Sequence, residues 1–300
     1  MLESILNPKV ARNNIPEVFA VTVIFGLIAV FFSYYLFPEY ASVLMCAEIT
    51  VLLTPFFQRL FASEEAMEEF AMKHHINKNL FQRHAPVLKI YSAFFIALIL
   101  MMSLLFVLAP SPTRLQVFQK QISEVERLSG MAVTGHATTP SAAITIFTNN
   151  MFVMFLAFVT SLIFGTGAIF ILAWNASVIG VYAGAFVQFL ESSGMSSLMA
   201  IAYGIPNALL AITMHGVPEV FGYFFAGIAG GILSAGLIKE KLISPEMNVI
   251  LIDSLVFMGF GAFSIFMGAF IEVGDSIFGT IGFLAYMVFM FGLLLHGKNG

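Results

Sequence analysis

The chain has 300 residues, 59% of them hydrophobic and 10% charged, with 34 phenylalanines and a formal net charge of −4. With a mean hydropathy of +0.95, this composition belongs to a chain whose solvent is mostly lipid, so the predicted fold class is an all-α polytopic transmembrane helix bundle. Nucleic acid is excluded as a partner because no Lys/Arg block could neutralise phosphate, and Cys46 stands alone, which excludes an intrachain disulfide and a thiolate metal cluster.

Residues 1–109 read as an N-terminal region of three spans. A polar stretch, residues 7–17, precedes an apolar run at 18–37 that is long enough to cross about 30 Å of hydrocarbon and lacks a small-residue cleavage pattern, so it is a retained span. The second span, 41–57, is interrupted by Glu48 and carries Pro55 near its end. Ser63-Glu64-Glu65 then looks like a helix start with acids in its first turn, and the segment 63–75 is predicted to be an amphipathic helix on the cytoplasmic membrane surface. His74 and His75 are adjacent and so point about 100° apart on a helix, a poor arrangement for chelation. The third span is 86–109, stopped by Pro110 and Pro112.

Residues 110–142 form an external region. Ser111-Pro112-Thr113 places a cap and an early proline ahead of a helix reaching about 128, with Gly130 as its stop. Leu115, Phe118, Ile122 and Val125 share a face too short for a coiled coil, so this stripe is predicted to dock a partner. A small, polar linker containing His136 follows.

Residues 143–300 hold the core spans. The fourth, 143–164, carries Thr148-Asn149-Asn150; Gly165-Thr166-Gly167 is a tight turn; the fifth, 168–190, contains Asn175 and a close-packing pair, Gly180 and Gly184. The apolar run 197–238 is too long for one crossing. Pro206 and the Gly216/Pro218 pair divide it into a broken or re-entrant segment, 197–213, and a sixth span, 217–238. The seventh and eighth are 247–271 and 277–295, for about eight spans in all. Placing both termini in the cytoplasm puts Lys9, Arg12, Arg59, Lys73, Lys78, Arg83, Lys89, Lys239, Lys241 and Lys298 inside and only Arg114, Lys120 and Arg127 outside, as the positive-inside rule requires.

That topology brings five polar side chains to one depth in the outer half of the bundle: Asn149, Asn150, His215, Glu219 and Glu272. His215 and Glu219 are four residues apart and share a helix face. Ionisable groups at membrane depth are costly, by about 2.5–3.5 kcal/mol for a charge on insertion scales, and so require partners. Three readings are open. The cluster locks the bundle structurally; it binds a ligand or partner; or His215, Glu219 and Glu272 supply the donor types of a zinc or other divalent-metal site, leaving a position for water. Asn175 lies deeper and Asp253 on the inner side, and Glu48 and Asp253 have no basic partner nearby in sequence.

From about 144 to 275 these residues resemble the stage II sporulation protein M family. The features are Thr148-Asn149-Asn150, the turn from Gly165 to Gly167, Asn175, the His-Gly-x-x-Glu element from His215 to Glu219, and Glu272 near the end of a later helix. Two departures touch helix-break geometry: Ala176 follows Asn175 where the family commonly has Gly, and Met214 precedes the histidine where Pro is common. The resemblance implies a multi-spanning protein of the cytoplasmic membrane. The family's sporulation namesake acts with membrane-anchored cell-wall hydrolases as an engulfment scaffold.

The leading expectation is therefore an integral membrane scaffold or partner-binding subunit that contacts the bilayer and membrane-anchored or external proteins. Association as a homo-oligomer is compatible with it. The alternatives are an intramembrane metal-dependent hydrolase using His215, Glu219 and Glu272, and a small-molecule or proton-coupled transporter.

Overall fold

The computed structural model describes residues 11–73, 79–133, 140–273 and 276–295. Among these the chain is an all-α bundle of ten helices: α1 (Ile15–Leu36), α2 (Ala41–Lys73), α3 (Leu80–Leu108), α4 (Ser111–Val117), α5 (Gln119–Val133), α6 (Pro140–Phe164), α7 (Ala168–Ser192), α8 (Ser197–Lys239), α9 (Pro245–Val273) and α10 (Ser276–Leu295). Seven of them, α1 to α3 and α6 to α9, contain stretches long and apolar enough to cross a membrane, and Ile277–Leu293 within α10 is a shorter apolar helix.

Three local expectations meet a different geometry. First, the segment beginning at Ser63 is the continuation of α2, which runs through Pro55 without ending. Ser63 caps nothing: its hydroxyl donates to the Leu60 carbonyl at 2.9 Å and accepts from Arg12. Glu64 is buried rather than lying on a wet surface, because Arg12 and His84 come to it from distant parts of the sequence. His74, His75 and His136 lie outside the described residues.

Second, the segment 197–213 is neither a loop nor a separate element. α8 is helical from Ser197 to Lys239 with Pro206 and Pro218 inside it. Each proline removes one N–H donor and crowds the carbonyl four residues back, yet packed neighbours in a membrane bundle keep the remaining helical bonds favourable. At 1.5 Å per residue the helix measures about 65 Å along its path, roughly twice the hydrocarbon thickness.

Third, the stripe predicted to dock a partner is mostly turned inward. Phe118 is 1% exposed and packs edge-on against Phe106 of α3 at 5.5 Å. Ile122 and Val125 also pack on the main core, and only Leu115 is exposed. Gln121 on the same helix donates to the Ser42 carbonyl at 2.8 Å and to Ser177 Oγ at 3.1 Å. The amphipathic pattern was generated by intramolecular packing, with α5 lying against α7.

α8 is the hub of the bundle and has its largest interface with α9, followed by α6 and α7. All residues from 222 to 234 are buried. A helix enclosed on every side must offer small residues where others cross it. A methyl group at Gly222 would stand 2.6 Å from Ile265 Cγ1, and one at Gly231 2.6 Å from Phe61 Cζ. Gly180 and Gly184 do the same for α7 against α3, where added methyls would meet Met102 and Phe106 at 2.7 Å. α6 ends at Gly165, whose φ of +74° is the left-handed conformation glycine adopts freely, and its N–H returns to the Ser161 carbonyl at 2.7 Å.

Candidate functional site

The His-Gly-x-x-Glu element lies within α8, away from either end. Glu219 points toward α6, where Asn150 Nδ2 donates to its Oε1 at 2.6 Å. Asn150 is itself 8% exposed, and its Oδ1 accepts from the Tyr223 hydroxyl at 2.8 Å. One carboxamide thus uses both ends to join two groups spaced four residues apart on the facing helix. Such buried polar bonds favour one register of α6 on α8.

α9 closes the third side through Gly268. A methyl there would stand 2.6 Å from Glu219 Cγ and 3.1 Å from the His215 carbonyl oxygen, so any larger residue would intrude on the motif. The close approach continues one and two turns further on, where Gly261 packs on the Gly222 backbone and Met154.

The remaining predicted residues form a more open rim. Glu272, near the end of α9, lies within electrostatic reach of both His215 and Glu219. Glu272 is exposed and His215 half-buried. Asn149 is exposed and donates to its neighbour Asn150 at 3.5 Å. Hydrogen bonds join Asn150 to Glu219, Tyr223 and Asn149, while His215 and Glu272 have no bond shown to that group. Among the described residues, no three His, Cys, Asp or Glu side chains are grouped as metal donors.

Two participants were not predicted. Tyr223 continues the His215, Glu219 spacing by another four residues, a signal present in the sequence but masked by four neighbouring aromatic or glycine positions that read as packing. Gly268 carried no signal of its own, since its role depends on which helix lies opposite. Asn175 stays apart, its amide donating to the Ile171 carbonyl at 2.8 Å within its own helix.

A second polar cluster lies toward the other end of α9. Arg83 pairs with the buried Asp253 at 2.8 Å. Arg12 reaches Glu64 and Ser63 in α2, and His84 Nδ1 lies 3.4 Å from Glu64 Oε2. These contacts tie the segment before α1 to α2, α2 to α3, and α3 to α9.

A helical bundle of long apolar spans built around a His-Gly-x-x-Glu helix defines a multi-pass membrane protein. The family model for Stage II sporulation protein M matches residues 91–277, more than half of the chain, and the chain belongs to that family. The match begins within α3 and takes in α4 and α5, well before the first motif recognised in the sequence. No curated protein and no solved structure matches the chain.

Proposed function

We propose that this protein is a scaffold or partner-binding subunit of the cytoplasmic membrane, with both termini in the cytoplasm and the His215–Glu272 rim as its contact with a membrane-anchored or external protein. The observation that carries this reading is the division of the polar site. Its inner part, Asn150, Glu219 and Tyr223, is joined by intrachain hydrogen bonds, whereas Glu272 is an exposed residue within electrostatic reach of the half-buried His215.

The inner part acts as a rigid support. The rim offers an anionic group at the margin of the apolar zone, where a Lys or Arg next to a partner's transmembrane segment would find it in a setting less screened than bulk water. The external stripe 115–125 is not the docking surface in this reading, since Phe118, Ile122 and Val125 are occupied within the chain.

The test is affinity purification of the full chain from native membranes in mild detergent, comparing wild type with Glu272→Lys and with the exposed control Glu39→Lys. The reading expects the co-purifying membrane-anchored partner to fall at least ten-fold for Glu272→Lys and to persist for Glu39→Lys. Equal recovery from all three proteins would overturn it.

A further inference from the structure

A cleft of about 440 Å³ opens at the end of the bundle that holds the Gly165–Gly167 turn, between α2, the last turn of α6 and the first turns of α7. Its lining includes Thr50, Thr54, Thr160 and Thr166 together with Gln58 and Phe164. Among the described residues, no charged side chain lines it.

The hydroxyl protons can be assigned one by one. Thr50 donates to the Cys46 carbonyl at 2.7 Å, Thr54 to the Thr50 carbonyl at 2.8 Å and Thr160 to the Leu156 carbonyl at 2.7 Å. Thr54 and Thr166 hydroxyls lie 3.3 Å apart. Since the Thr54 proton is committed to its own helix, Thr166 is the donor in that pair. Each hydroxyl has one proton and two lone pairs. All four protons are therefore spent inside the chain, and what the threonines turn toward the cleft is acceptor oxygen.

Three backbone donors beside the cleft are also spent within the chain. At the start of α7 the Ala168 N–H is bound to Ser161 Oγ at 2.9 Å, and the Ile169 and Phe170 N–H groups return to Thr166 and Gly167 carbonyls. A phosphate or carboxylate would meet the threonine oxygens with no Lys, Arg or His among the described lining residues to balance its charge. A full cation would find no carboxylate to neutralise it. The complement is an uncharged hydroxyl donor attached to an apolar body that can lie along Phe164, which is 65% exposed, and the half-buried Phe170.

We propose that this cleft binds a lipid with an uncharged hydroxyl headgroup, diacylglycerol in chemical class, its hydroxyl donating to the threonine oxygens and its acyl chain running along the aromatic wall. The site stands apart from the His215–Glu272 rim, and the proposal does not depend on the function assigned there.

The test uses the full chain in phosphatidylcholine vesicles with a photoactivatable diacylglycerol, the adduct mapped by peptide mass spectrometry. The proposal expects labelling in α2, α6 or α7 at the cleft, displacement by unlabelled diacylglycerol and not by phosphatidylglycerol or phosphatidic acid, and about a five-fold loss of labelling in Thr54→Val, as for one neutral hydrogen bond. Thr54→Ser keeps the acceptor oxygen and is expected to retain labelling. Circular dichroism and thermal melting establish that both variants are folded. Displacement by every lipid alike, preferential displacement by the anionic lipids, or undiminished labelling in folded Thr54→Val would each overturn the proposal.

Discussion

Asn150 of α6 holds Glu219 of α8 at 2.6 Å, and through its other end accepts from Tyr223 at 2.8 Å. Both bonds depend on one side chain, so Asn150→Leu removes the donor to a carboxylate and the acceptor for a buried phenol together. Interhelical hydrogen bonds in membrane proteins average about 0.6 kcal/mol and reach about 1.7. The two bonds lost here should lower stability by roughly 1–2 kcal/mol, read as a lower midpoint in a denaturing-detergent titration. Asn150→Asp should also destabilise, because it exchanges the donor for a second acid facing Glu219.

The polar site was partly legible in the sequence. His215 and Glu219 announce themselves by a spacing of four in an apolar run, and Asn150 follows once the spans are oriented. Tyr223 was hidden by its chemistry: a tyrosine among phenylalanines and glycines counts as apolar until its hydroxyl has a named acceptor. Glu64 was misread for a different reason. Ser63-Glu64-Glu65 has the local pattern of a helix start, and nothing local reveals that Arg12 and His84 converge on it. The stripe through Phe118 shows the same limit, since periodicity says that a face is covered but not by what. Pro218 invited a break, whereas the packing of α8 between α6, α7 and α9 keeps the helix intact.

Gly268 is the steric limit of the site. In Gly268→Ala the methyl meets Glu219 and the α8 backbone at His215, so α9 must move away. Overpacking of this kind costs about 1–3 kcal/mol. The expected result is a lower melting temperature together with faster amide exchange at the α8–α9 contact, whereas Gly259→Ala, with nothing within 4 Å of the added carbon, should leave both unchanged.

Phe118 and Leu115 separate intramolecular packing from partner binding. Phe118→Ala empties a fully covered position against Phe106 and should destabilise the chain by about 3 kcal/mol. Leu115→Ala, at an exposed position, should change stability by less than about 0.5 kcal/mol. Thermal unfolding in detergent measures both, and equal effects would contradict the inward placement of the stripe.

The half-buried Arg83 pairs with the buried Asp253 at 2.8 Å. Arg83→Ala leaves the acid without this partner and should cost about 3 kcal/mol, while replacing both residues with apolar ones should recover most of the loss. The measurement is a double-substitution cycle by thermal or denaturant unfolding. Additive losses would show that the pair does not join α3 to α9.

The most direct test of the proposed partner rim is photo-cross-linking in intact native membranes, with a benzophenone amino acid placed at position 272 or, as control, at the exposed position 252 near the other end of α9. The account predicts a discrete protein adduct from position 272, mapped to a Lys- or Arg-bearing segment beside the partner's membrane anchor, and lipid adducts alone from position 252. Lipid adducts alone from both positions would contradict it.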